Sequence, residues 1–278
     1  MLSTWLTSRK RSASSFSSFE TIDLEESFEL GVECTKCIGG VSLPPRALGL
    51  RDYLVQALIH SRNDEKFLKD LASYFNWGTI KASIVLPSIP TILTAIHGEF
   101  GELLTDLVLV ELQNYTIPVP KRWYMITADQ TLPGSDTLAI KLGDGKLIEA
   151  CYVESKLRST NDTMAAKEAY EELVRKHNQN MPVIVTFTLK RLHEQNSPFL
   201  EPFMEYMRDM SVADQRDTFW MGLTWEKSAW SEKVLDNLEA YATSISTVGG
   251  NPKCSVHCLI VKDLRALIEN VFASVKVA

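Results

Sequence analysis

The chain has no excess of positive charge. Its 278 residues carry 29 Lys and Arg against 35 Asp and Glu, a formal net charge of −6. Sequence-independent affinity for nucleic acid comes from cations that neutralise phosphates. The whole surface is therefore a poor unaided nucleic-acid binder, and any such role needs a local basic strip or a partner that delivers the strand. Candidates for a strip are Lys141, Lys156, Arg158, Lys190 and Arg191. For Lys190 and Arg191 an ordinary mixed surface is the plainer reading.

Long apolar runs are also missing, and no stretch reads as a membrane-spanning helix. The nearest, residues 84–93, is short and carries Pro87 and Pro90, so it reads as a loop entering the next helix. There is no repeat, no glycine-rich phosphate loop and no helicase motif, which assigns any ATP chemistry to another chain. No Ser-His-Asp or Cys-His spacing can be defended, and His177, His193 and His257 read as surface or packed histidines. Five cysteines make an odd count without a secreted framework. Reduced thiols and a cytoplasmic location follow as expectations. Cys34-Thr35-Lys36-Cys37 could be half of a zinc knuckle, with Cys254 to Cys258 the other half. However, the second segment reads as a buried strand on which cysteines are small apolar residues.

Residues 1–19 combine Arg9, Lys10 and Arg11 with many serines and no acid. A flexible start explains this composition, and a transit segment shares it. Residues 21–33 are acidic with interleaved apolar positions, as in an edge strand or a segment that packs on a partner. Helices are expected over 50–59 and 64–75. From residue 91 to 112, Ile92, Leu93, Ile96, Phe100, Leu103, Leu104, Leu107 and Val108 recur at three- and four-residue steps, predicting an amphipathic helix. Glu99 and Glu102, three apart, share a face of it. His97, just before them, is a candidate to touch a phosphate or ligand.

Residues 149–158 alternate as a half-buried strand, with Tyr152, Glu154, Lys156 and Arg158 on one face. Residues two apart on a strand lie roughly 6 to 7 Å apart, so a cation on the Glu154 carboxylate and a water near the Lys156 ammonium can meet. Asp136, after Gly134-Ser135, begins an earlier strand that ends at Gly143-Asp144-Gly145-Lys146, a hairpin turn signal. The 18 positions between Asp136 and Glu154 fit two antiparallel strands that bring both carboxylates to one end. Downstream, helices over 162–177, 199–210, 230–244 and 263–274 alternate with strands over 183–189, 219–225 and 255–261. This pattern predicts an α/β sandwich. The strand over 183–189 is expected beside the Glu154 strand, with the helix before it as the crossover.

A helical acid, an aspartate on one strand and Glu154-Ser155-Lys156 on the next resemble the active site of the PD-(D/E)XK nuclease superfamily. That resemblance implies a restriction-endonuclease-like mixed sheet flanked by helices, with an N-terminal helical or irregular extension. The chain divides accordingly into a flexible 1–19, an extension over 20–80 and a nuclease domain over 81–278. Gly98-Glu99, Gly101-Glu102, Gly134-Ser135-Asp136 and 152–156 together resemble the nuclease-subunit family of the bacterial Hachiman anti-phage system, HamA, over about residues 45–275. The family implies a divalent-metal-dependent nuclease that cleaves DNA beside a helicase subunit, HamB, which restrains it. Asp136, Glu154 and Glu102 are then the ligands of Mg2+ or Mn2+, Lys156 orients the attacking hydroxide, and Glu99 is the second choice for the helical acid.

Each motif has a plainer reading. An Asp after Gly-Ser is usually a turn or cap residue, Glu-X-Lys occurs in many strands, and two helical glutamates usually form a solvated face. Two other function classes therefore stand beside the nuclease. One is a non-catalytic interaction or DNA-binding module that retains the fold. The other is an unrelated α/β enzyme in which Glu154 and Lys156 form a simple ion pair.

Overall fold

The computed structural model describes residues 6–11, 18–24, 32–33, 47–130, 135–209, 217–245 and 253–277. In chain order its strands are β1 (Leu6–Arg11), β2 (Ser18–Leu24), β3 (Val32–Glu33), β4 (Ala47–Leu48), β5 (Thr137–Gly143), β6 (Lys146–Arg158), β7 (Asp217–Glu226) and β8 (Lys253–Val261). Its helices are α1 (Leu50–Arg62), α2 (Glu65–Ala72), α3 (Trp77–Ile80), α4 (Leu86–Ser88), α5 (Leu93–Glu111), α6 (Ala165–Glu194), α7 (Leu200–Asp209), α8 (Lys233–Ile245) and α9 (Leu264–Val277). β3 and β4 pair with each other, and the rest form one mixed sheet in the order β1-β2-β8-β7-β6-β5. The architecture is α/β, a mixed sheet between two helical layers, as the alternation of elements predicts.

The hairpin of β5 and β6 is set by its turn. Asp144 and Gly145 have φ of 50° and 76°, both in the left-handed region, as in the two-residue turns whose twist matches that of the flanking strands. From there β5 runs antiparallel to β6, with Thr137 opposite Val153. β6 is parallel to β7, with Glu154 opposite Met221, and β7 is parallel to β8, with Met221 opposite Val256. Strands covered on both faces read as near-continuous apolar runs. β7 and β8 show this, since nearly every residue along them is buried.

Alternation along β6 divides the core. Cys151 and Val153 join Phe100, Leu104, Trp220 and the buried side of α1 and α9 on one face. Tyr152 joins Leu173, Phe203, Phe219 and Met221 on the other, beneath α6, α7 and α8. Helix α5 is buried nearly all round from Glu99 to Leu109, which is the mark of a core helix. Among the described residues no single helix is long and apolar enough to cross a membrane, and the one bent pair that passes by length and composition ends in this α5.

Small residues let α5 approach the sheet. A Cβ on Gly222 would overlap the Thr105 side chain, 2.7 Å from its Cγ2, and would lie 2.8 Å from the Trp220 ring. Thr105 in turn hydrogen-bonds Ser155 on β6 across 3.1 Å. Gly222→Ala is therefore expected to cost about 1–3 kcal/mol by overpacking. Chemical denaturation measures this, and trimming Thr105 to alanine in the same chain should recover part of the loss.

Two expectations need correction. Residues 183–189 form no strand; they continue α6, which runs for 30 residues with Pro182 inside it. The β-branched run Val183-Ile184-Val185-Thr186 favours a strand locally. Its burial has helical spacing instead: Ile184, Val185, Thr188 and Leu192 face the core. Tertiary burial outweighs propensity here, and the strand beside β6 is β7. Residues 84–93 likewise include the end of a π-helical turn, Lys81–Val85, and α4 rather than a plain loop.

Candidate active site

The hairpin brings Asp136 and Glu154 together. The Asp136 amide donates to Val153 O at 3.0 Å, extending the ladder one residue beyond β5. Its carboxylate accepts from the Ser155 amide at 2.8 Å, which pins it over β6. Glu154 is only 1% exposed, and its two oxygens accept from Lys156 Nζ and Lys176 Nζ, both at 2.7 Å. Lys176 Nζ also lies 3.4 Å from Asp136 Oδ1, so this ammonium bridges the two carboxylates. Lys156 reaches Glu172 at 3.1 Å and Lys176 reaches it at 3.4 Å.

Glu102 arrives from α5 on the opposite face of the sheet and meets the cluster near the start of β5. Burial, with the Asp136 charge next, pushes its carboxyl up to about 8. Burial and then Asp136 also lift Glu154 above the usual range, against the pull of Lys156 and Lys176. The lysines move up as well: their carboxylate neighbours, Glu154 for Lys156 and Asp136 with Glu154 for Lys176, outweigh the burial penalty. Lys121 donates to Ser135 O at 2.7 Å, and burial holds it below the usual lysine range although Asp136 opposes this.

Glu99 has different neighbours. It is 4% exposed and pairs with Arg62 Nη2 at 2.6 Å and Arg122 Nε at 3.5 Å. Arg122 also holds Glu102 at 3.2 Å and Asp106, and Asp106 accepts from Thr137 Oγ1 at 2.7 Å. This network fastens α5 to the first residue of β5. The two glutamates thus divide: Glu99 supports the fold, while Glu102 stands beside Asp136. His97 is half-buried one turn earlier, and no hydrogen bond or ion pair joins it to these acids among the described residues.

A family model described as HamA matches residues 14–275. The chain belongs to the HamA family. The HamA match takes in α5, the hairpin and α6 together, and membership gives the chain a role in Hachiman defence, a system of more than one subunit. No curated protein matches the chain.

In this HamA chain, Asp136, Glu154 and Glu102 carry oxygen donors of the kind that a hard divalent cation takes while keeping several waters. The Asp136 charge raises the proton affinity of both Glu102 and Glu154, and a dication would relieve that repulsion. As they stand, no three acid, His or Cys side chains among the described residues converge closely enough to hold an ion. The Lys176 ammonium stands in for positive charge between Glu154 and Asp136.

Sequence reasoning missed Lys176, Glu172, Lys121, Arg122 and Asp106. Glu172 and Lys176 carried a signal, an i,i+4 pair on the helix expected over 162–177. Lys121 and Arg122 sit on a short 3-10 turn after Pro118 and Pro120, where no periodicity marks an inward direction. The proposed basic strip is largely neutralised: Lys141 faces Glu149 at 4.0 Å, Arg158 pairs with Asp162 at 2.8 Å and Arg191 with Glu194 at 2.5 Å. His177 is packed, 3.1 Å from Asp217, and His257 stacks on Trp220, as expected of non-catalytic histidines. Cys254 and Cys258 are buried on β8. The zinc candidates Cys34 and Cys37 lie outside the described residues.

Proposed function

We propose that the chain is the divalent-metal-dependent nuclease of its defence complex, hydrolysing DNA phosphodiesters at the Asp136–Glu154–Lys156 cluster, with a HamB-like helicase as partner. The observation that carries this reading is the pairing of Asp136 and Glu154 at one end of the hairpin with Lys156 on the same face, in a chain of this family. Asp136 and Glu154 are the ligands of Mg2+ or Mn2+, with Glu102 as the third carboxylate. A dication there supplies Lewis-acid polarisation of the phosphoryl oxygen and lowers the pKa of a bound water. Lys156, held between Glu154 and Glu172, presents an ammonium to the attacking hydroxide and to charge developing on the phosphate. Lys176 adds a second cation, and the buried floor of β6 and β7 keeps these interactions strong. The negative overall charge is met by the helicase subunit, which delivers the strand.

Calorimetric titration with Mg2+ tests the ligand set without relying on turnover. Glu102 must lose its proton to bind, so the wild-type chain should release protons on binding and bind more tightly as pH rises to about 8. The chain carrying Asp136→Asn and Glu154→Gln should bind at least tenfold more weakly. Equal binding by the two proteins would remove these ligands.

The second reading, a non-catalytic interaction module with this fold, is favoured by one observation: lysine ammoniums already bridge the carboxylates. It requires that phage resistance survive removal of the acids.

A further inference from the structure

Every carboxylate oxygen of Asp136 and Glu154 already has a donor. The Ser155 amide and Lys176 Nζ serve Asp136 at 2.8 and 3.4 Å, and Lys156 Nζ and Lys176 Nζ serve Glu154, both at 2.7 Å. Among these donors only Lys176 touches both acids. Its ammonium therefore holds the place between them that a cation bonded directly to both would need. Metal and ammonium cannot share that place, so they compete for it.

Lys176 also has somewhere to go. It reaches the acids from α6 on a flexible four-carbon stem, and its ammonium is a point charge that no fixed fork geometry ties down. One turn earlier on the same helix stands Glu172, 3.4 Å away, no further than Asp136. The Glu172 side chain is 34% exposed against 1% for that of Glu154. A shift toward Glu172 keeps the ammonium paired and brings it nearer water, so no buried unpaired cation results. On Glu172 it stands beside Lys156, which lies 3.1 Å from the same carboxylate, and both charges still face an incoming phosphate.

We propose that Lys176 is a tethered counter-cation that sets the metal affinity of this site: it neutralises Asp136 and Glu154 while no metal is bound and withdraws to Glu172 when one is. The inference rests on the metal-dependent nuclease reading of the cluster and adds its regulation. A competitor built into the chain lowers the apparent affinity by the fraction of molecules in which it has vacated its place. The free chain thus stays unloaded at cation concentrations that an open pair of carboxylates would capture. The same contact accounts for the acids not converging as a metal set among the described residues: Asp136 and Glu154 are arranged around an ammonium.

The test is titration of the purified full chain with Mn2+ at one fixed pH, with free Mn2+ read by electron paramagnetic resonance. Lys176→Met should bind roughly tenfold more tightly than the wild type. Lys176→Gln replaces it if methionine lowers the melting temperature. Arg175→Met controls for the loss of a nearby positive charge: Arg175 is 54% exposed and pairs with Glu172 at 3.4 Å, and its removal should change the affinity less than about twofold. Glu172→Gln takes away the place of retreat, so it should weaken binding at least about threefold in the wild type and have little effect in the Lys176→Met chain. Equal affinity of wild type and Lys176→Met, an Arg175→Met gain as large as that of Lys176→Met, or a Glu172→Gln effect of the same size in both backgrounds would overturn the proposal. Metal that binds through Asp136 and Glu154 but ignores Lys176 refutes this role alone. Binding by Lys176→Met that is unchanged when Asp136→Asn and Glu154→Gln are added refutes the metal site itself, and the nuclease reading with it.

Discussion

Glu154→Gln is expected to lower DNA cleavage on the order of a thousandfold, the effect of losing a group that organises developing charge, while leaving the chain folded. Glutamine has the same shape and keeps one acceptor, so β6 and its neighbours stay packed. It cannot carry the charge that a dication and two ammoniums share. The lysines keep Glu172, and Lys176 keeps Asp136, so neither is stranded as a buried unpaired charge. Lys156→Met should reach a similar loss by a different route, removing the ammonium and leaving both carboxylates. A plasmid-nicking time course beside a thermal melt of each variant separates these effects from misfolding.

The two glutamates of α5 should part company. Glu99→Ala leaves Arg62 buried without its 2.6 Å partner and takes a partner from Arg122. Breaking a buried pair in this way costs about 3–5 kcal/mol, so the expected result is a large drop in stability. Glu102→Gln should do the reverse, losing cleavage roughly a hundredfold with little change in stability near neutral pH. The reason is the raised carboxyl: at about 8 it is largely protonated in the metal-free fold at neutral pH, and glutamine imitates that form. A carboxyl raised on folding contributes stability that is fully present below its unfolded pKa, near 4.5, and lost as pH rises through about 8. The wild-type chain without metal should therefore lose stability between those limits, and Glu102→Gln should flatten that decline. Urea melts at pH 5, 7 and 9 would show it. A Glu99→Ala chain as stable as wild type would break the division of roles drawn from Arg62 and Arg122.

The hairpin was the most legible part of the chain. A two-residue turn at Asp144-Gly145 and an approximate alternation through Glu154 and Lys156 are local properties, and local properties are what a sequence displays directly. The choice between Glu99 and Glu102 was not legible, because helical spacing puts both on one face. What separates them is long-range: Arg62 on α1 takes one and the neighbourhood of Asp136 takes the other. Lys176 was hidden for a similar reason, since its partner Glu154 lies 22 residues away in sequence. The false strand over 183–189 came from β-branched residues in a helix whose burial, and not its composition, fixes its state.

Asp136, Glu154 and Lys156 together form the proposed metal-dependent phosphodiesterase site. Degradation of supercoiled plasmid tests it most directly, using the purified chain alone and with its helicase partner, in Mg2+ or Mn2+, against EDTA and against the chain carrying both Glu154→Gln and Lys156→Met. The predicted result is plasmid loss by the wild type that needs the metal and that the double variant lacks in either setting. Equal degradation by wild type and double variant, or degradation that survives EDTA, would contradict it.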